Sequence, residues 1–240
     1  MRRLAEARRR RQARAALGRA DLPEPVRVHL STPSPPDRLP WRQVTYTVLD
    51  LETTGLDPAT DAIVAAGGLR VLGGRAAAAT AFRLLVRPDR QVPTAAIRIH
   101  GLLPGELAAA PPLAEQLTAL LDRTVGDVLV VHVAEVDQDF LDAAMRRLWG
   151  CPLTATVLDT ARMAAALNRR LHLAQPPGRR PGTSLRLADL ARAHGLPVHP
   201  EHDPLHDALT TAQLFLALAT RLERHGRGTL GALRRVAGRA

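Results

Sequence analysis

Asp50 and Glu52 stand two residues apart at the end of the β-branched run Val44-Thr45-Tyr46-Thr47-Val48-Leu49 and just before Thr53-Thr54-Gly55-Leu56. In a strand, side chains at i and i+2 leave the same face, about 7 Å apart at the Cα level. Two carboxylates crowded into one space repel by about 4 kcal/mol at 4 Å and an effective dielectric near 20, a cost that a hard divalent cation reverses. Taken alone, an Asp-x-Glu at a strand end reads more simply as two solvated acids. The chemistry depends on whether other parts of the chain send acids to the same place.

Two later segments do. Asp137 follows the apolar strand pattern ending at His132 and shares a helical face with Leu141, Ala144 and Leu148, so it points inward, where an unpaired carboxylate is costly. Asp139 and Asp142 fall on other faces. In His202-Asp203-Pro204-Leu205-His206-Asp207, the Asp-Pro pair has the form of an N-cap followed by the first helical residue. Asp207 then lies in the first turn of a long apolar helix with His202 just outside it, a fixed ligand beside a histidine able to exchange a proton with water. The plainer reading is an acid complementing the helix dipole beside a surface loop histidine. His206 is the competing base, but it points about 100° away from its helical neighbour Asp207.

The elements that must position these groups follow an alternating order. Strands are expected at 44–51, 62–71 and 80–86, the last two joined through Gly73-Gly74, then a helix at 112–121, a strand at 128–133, a helix at 137–148, a short strand at 156–158 and helices at 160–167, 185–194 and 204–224. Three strands followed by alternating helix and strand predict one α/β domain with a mixed central sheet of about five strands flanked by helices. Hydrophobic residues make up 46% of the 240, enough for a sizeable core, yet aromatics only 2%, so Leu, Val and Ala must fill it. Cys151 is the sole cysteine, which excludes an intramolecular disulfide framework and cysteine-rich zinc modules. With no span-length apolar run and no secretory signal, the expectation is a soluble, cytoplasmic protein.

The net charge of +10 belongs to the ends: residues 1–20 hold eight Arg and one Glu and residues 221–240 six Arg and one Glu, leaving the span between slightly acidic. Six prolines between 21 and 40 suggest an extended linker. The expected layout is a flexible basic arm and Pro-rich linker at 1–40, a folded domain at 41–225 and a basic tail at 226–240, with a mobile basic loop at 169–183. The Arg-rich ends suit contact with phosphates or, more plainly, a solvated arm.

Together the motifs resemble the DEDDh (DnaQ-like) family of 3′-to-5′ exonucleases, which contains bacterial polymerase III epsilon proofreading subunits and RNase T. Asp50-Leu51-Glu52-Thr53-Thr54-Gly55-Leu56 is similar to the first family motif, His132 to Leu141 to the second, His202-x4-Asp207 to the third, and Ile99-His100-Gly101-Leu102 to an intervening segment. Val133 and Val136 depart from the Asn and Phe of the second motif, which predicts altered positioning or substrate contact. The resemblance implies an RNase H-like exonuclease fold and two Mg²⁺ or Mn²⁺ ions held by Asp50, Glu52, Asp137 and Asp207. It also implies His202 as general base and Thr53, Thr54 and Leu56 around the terminal nucleotide, with His100 either contacting that nucleotide or merely fixing its own loop. The implied activity is release of nucleoside 5′-monophosphates from single-stranded or frayed 3′ ends, with DNA favoured in proofreading or repair beside a DNA polymerase. An RNA-directed exoribonuclease or oligoribonuclease is the near alternative. A weakened, non-catalytic module binding nucleic acid or a polymerase is the alternative of a different class.

Overall fold

The computed structural model describes residues 2–172 and 184–238. Its centre is a mixed five-stranded sheet in the order β3-β2-β1-β4-β5, with β1 at Tyr46–Thr53, β2 at Ile63–Leu72, β3 at Arg75–Leu85, β4 at Val128–Val131 and β5 at Val157–Asp159. The first three strands are an antiparallel meander, whereas β4 and β5 run parallel to β1. Gly73 and Gly74 make the β2–β3 turn with φ of 58° and 76°, a conformation that two L-residues with side chains would resist.

Strand β1 is central and covered on both faces, which is why Tyr46 to Leu49 are all buried before Asp50. The Thr47 hydroxyl among them is satisfied by donating to Asp127 Oδ2 at 2.7 Å. Leu49 and Leu51 face a layer containing α5 (Leu113–Thr124) and α6 (Ala134–Trp149). Tyr46 and Val48 face the opposite layer of α7 (Thr160–His172), α9 (Pro204–Arg224) and α10 (Leu230–Ala237). There Phe215 packs 4.7 Å from Tyr46, and Leu214, Leu218 and Leu222 are fully buried, each such side chain contributing about 1.5–3 kcal/mol. The short helices α3 (Thr94–His100) and α4 (Pro104–Ala109) between β3 and α5, and α8 (Leu187–Ala193) before α9, complete the domain.

The ends differ from the expected flexible arm, linker and tail. Arg2–Leu17 forms α1 and Glu24–Ser31 forms α2, and Ala13, Ala16, Val26 and Leu30 join the core beside α5 and α6. Arg9 donates to the Leu153 carbonyl at 3.1 Å and Arg19 to that of Trp149 at 2.7 Å. Among the described side chains the contact stripe is Ala13, Ala16 and half-buried Leu17 with arginine stems beside it, so the helix docks with little apolar face for periodicity to register. Pro23 and Pro25 start α2 rather than break it. At the other end Leu230 and Leu233 of α10 are fully buried, and Leu230 N–H donates to the Leu39 carbonyl at 2.9 Å, tying the two ends of the chain to each other. Of the expected loop at 169–183, residues 169–172 continue α7 and 173–183 lie outside the described residues. Among the described residues no helix is long and apolar enough to cross a membrane.

Candidate active site

Strand β1 outruns β4. Their pairing ends at Val48 and Val130, so Leu51 N–H has no ladder partner and donates instead to Asp137 Oδ1 at 3.0 Å. That bond brings the first turn of α6 against the carboxylate end of β1. The turn itself is set by Asp159 at the end of β5, which is 1% exposed and accepts from the N–H groups of Val133 and Ala134 at the start of α6 and of Ala161 and Arg162 at the start of α7. One acid therefore caps two helices. Val133 adopts a left-handed conformation with φ 64° and ψ 73°, a state that Asn tolerates and a β-branched residue resists.

From the other face, the N-terminus of α9 lies directly on Gly67, the β2 partner of Asp50. A Cβ there would come within 2.3 Å of the Pro204 backbone, so a side chain at 67 would push the helix away. Asp203 caps α9 by accepting from Leu205 and His206 N–H. Asp207 then projects toward β1, and its Oδ2 accepts from His202 N–H at 2.7 Å. His202 is held at φ 69°, a left-handed state uncommon outside glycine. Its ring and the carboxylates of Glu52 and Asp207 each offer one ligand atom, all within 4.8 Å of one another.

Burial and mutual repulsion dominate the electrostatics of these acids. Glu52 is 8% exposed and Asp137 2% exposed. Burial, then the fields of Asp207, Asp203 and Asp137, push the Glu52 carboxyl up to about 8, with Arg83 opposing. Burial likewise drives Asp137 up to about 8 against the Leu51 N–H bond. Asp50 is raised well above the usual range by burial and then by Asp137, Asp207 and Glu52. Asp207 is raised as well, again mainly by burial. Four carboxylates from three elements therefore converge on one space.

A family model for the RNase T exonucleases, described simply as exonuclease, matches residues 47–215. The chain belongs to this exonuclease family. The exonuclease is 33% identical over 175 residues to DNA polymerase III subunit epsilon of Treponema pallidum, an alignment covering 73% of this chain and 76% of that one. It is also 33% identical over 195 residues to a DNA polymerase III subunit epsilon-like protein of Rhodobacter capsulatus, covering 81% of this chain but only 26% of the longer relative. Among solved structures, Escherichia coli exonuclease I in complex with a dT13 oligonucleotide superposes with a TM-score of 0.63 at 22% identity, over 77% of this chain and 43% of that one. That likeness carries the RNase H-like fold.

Around the acids, the remaining sequence candidates of this exonuclease divide. Thr54 is buried and its hydroxyl is engaged with Asp61 and Ala62 N–H, fixing the β1–β2 loop. Thr53 donates to the Gly55 carbonyl. Leu56 is 81% exposed at the loop tip. His100 accepts from Leu102 N–H at Nδ1, which leaves Nε2 as the protonated donor, buried and without a hydrogen-bond partner among the described residues. Burial, and then the nearness of His202, lower the His100 ring. His206 stacks on His199 at 6.2 Å and lies 3.8 Å from Asp203 Oδ1, outside the group formed by Glu52, His202 and Asp207. Gly67 and Asp159 escaped sequence reasoning: the first depends on strand register, and the only signal for the second was an acid immediately before a helix start at Thr160.

Proposed function

We propose that this exonuclease is a metal-dependent 3′-to-5′ enzyme that releases nucleoside 5′-monophosphates, with single-stranded or frayed DNA ends as the favoured substrate. The observation that carries the proposal is the convergence of Asp50, Glu52, Asp137 and Asp207 beside a histidine at the end of one strand. All four donors are hard carboxylate oxygens brought together at one end of the sheet, so they fit Mg²⁺ or Mn²⁺. Four negative charges balance two divalent ions. Bound there, such ions supply a water of lowered pKa and charge to stabilise the leaving 3′ oxygen.

The protein's own groups do the rest. Asp50 and Glu52 are fixed by the sheet, Asp137 and Asp207 by backbone N–H groups, so the acids enter the reaction already oriented. His202 accepts the proton of the attacking water, a contribution of about 10² to 10⁴ in rate. The free Nε2–H of His100 donates to the terminal nucleotide, against which exposed Leu56 and the backbone of Thr53 and Thr54 pack. The epsilon relative and the oligonucleotide-bound neighbour support DNA as substrate and a polymerase as partner.

The test is digestion of 5′-labelled and 3′-labelled single-stranded DNA and RNA with Mg²⁺ or Mn²⁺. Mononucleotide release from the 3′ label, faster on DNA, is expected, with loss in Asp207→Ala and His202→Ala. A folded protein that releases none from either polymer sinks the proposal; release from the 5′ end reverses the polarity; faster RNA digestion transfers the reading to an exoribonuclease.

A further inference from the structure

Arg83 is a cation built into the edge of the acidic site. The register pairs Asp50 with Gly67 and Gly67 with Arg83, so the three share one row and one face of the sheet, and Arg83 lies two strand spacings, about 10 Å, from Asp50. Between them Gly67 contributes no side chain, and the space is taken by the start of α9. Arg83 Nε sits 3.6 Å from Asp203 Oδ2, with 40% of its side chain exposed. Asp203 commits its other oxygen to capping α9 at Leu205 and His206. No described residue forms a hydrogen bond with the Arg83 Nη atoms.

A loose exposed pair of this kind is worth about 0–1 kcal/mol, too little to explain the residue by stability. Its position is more informative. Four carboxylates and two divalent ions cancel, so any further phosphate of a bound strand arrives without a counter-charge. A guanidinium steadied at Nε and open at both Nη atoms presents the planar fork that matches phosphate oxygens.

We propose that Arg83 binds the phosphate of the substrate strand that neighbours the one being cleaved, and so favours polynucleotide ends over isolated nucleotide esters. This rests on the exonuclease reading above. Asp203 is the positioning residue that aims the guanidinium, and the same acid fixes α9, so strand binding and placement of Asp207 share one support.

The test compares Arg83→Ala and Arg83→Lys with the unaltered chain on an oligothymidylate and on the p-nitrophenyl ester of thymidine 5′-monophosphate, which has no second phosphate. Loss of one charge-assisted hydrogen bond should raise KM for the oligonucleotide about tenfold or more with kcat little changed. The loss in kcat/KM on the ester should be about tenfold smaller, and Lys should recover part of the oligonucleotide affinity. In binding titrations made with Asp207→Asn to prevent cleavage, adding Arg83→Ala should reduce the slope of log affinity against log salt by about 0.7, the value for one single-strand phosphate contact. Equal losses on both substrates would mean that Arg83 acts only through Asp203 and α9; no loss on the oligonucleotide would remove the contact. Strand binding with the expected salt slope but no product from the unaltered chain would sink the exonuclease reading and leave the Arg83 contact standing.

Discussion

Replacing Glu52 by Gln should stabilise the metal-free protein, and increasingly so as pH rises. Glu52 is buried, and its carboxyl rises from 4.5 to about 8 on folding, through burial and then the neighbouring acids. Between those values the folded state holds a proton that the unfolded state has lost, so stability falls with rising pH across this window and the loss is complete only above about 8. At about 1.36 kcal/mol per pKa unit the full cost approaches 5 kcal/mol, an upper bound of which about half is a working expectation. Gln keeps the shape and cannot ionise. In chelator, thermal melts near pH 8.5 should therefore favour Glu52→Gln by about 2 kcal/mol or more, which is about 5 °C for a chain of this size, while near pH 5 the advantage shrinks below about 1 kcal/mol. Saturating Mn²⁺ should invert the order, because a ligand that binds only the folded state stabilises it and the variant has lost a donor. Equal melting of the two proteins in chelator at high pH, or an advantage that does not depend on pH, would refute the argument that these acids are strained without a cation.

Other perturbations probe the supports of the site. Gly67→Ala puts a Cβ within 2.3 Å of the Pro204 backbone, and should cost about 1–3 kcal/mol in urea melts and lower kcat by shifting Asp207. Asp159→Ala uncaps α6 and α7 together and should cost about 2–4 kcal/mol, measured in the same way. Val133→Asn relieves a β-branched residue at φ 64° and should raise stability by about 1 kcal/mol. His202→Ala should lower kcat by about 10² to 10⁴ while metal binding, followed by Mn²⁺-induced thermal shift, is retained.

Much of the site was legible because it rests on local periodicities. The pleat put Asp50 and Glu52 on one face, helical spacing turned Asp137 inward, and Asp-Pro marked the start of α9, where the structure begins that helix at Pro204. The β2–β3 turn at Gly73-Gly74 was equally local. What sequence hid was set by contact between distant segments. Gly67 reads as an unremarkable strand glycine until register sets it beneath α9. The helices α3 and α4 are too short for a periodic signal. The basic ends looked unattached because Ala13, Ala16 and arginine stems bury little that a hydropathy pattern records, and because proline serves a linker and a helix start alike. Strand and helix limits moved by a few residues for the ordinary reason that caps such as Asp159, rather than the apolar pattern, decide where a helix begins.

Two of the four acids are aimed by the main chain: Asp137 by Leu51 N–H and Asp207 by His202 N–H. Every residue except proline carries that donor, so neither bond calls for a particular side chain, although the left-handed backbone at 202 favours Gly, Asn, Asp or His there. With His202 in the role proposed above, drift at the second position would silence turnover and still leave the four carboxylates arranged to hold metal. A lineage could thus exchange cleavage for strand capture in one step at residue 202 without rebuilding the pocket, whereas proline at either position would disorient the cage itself.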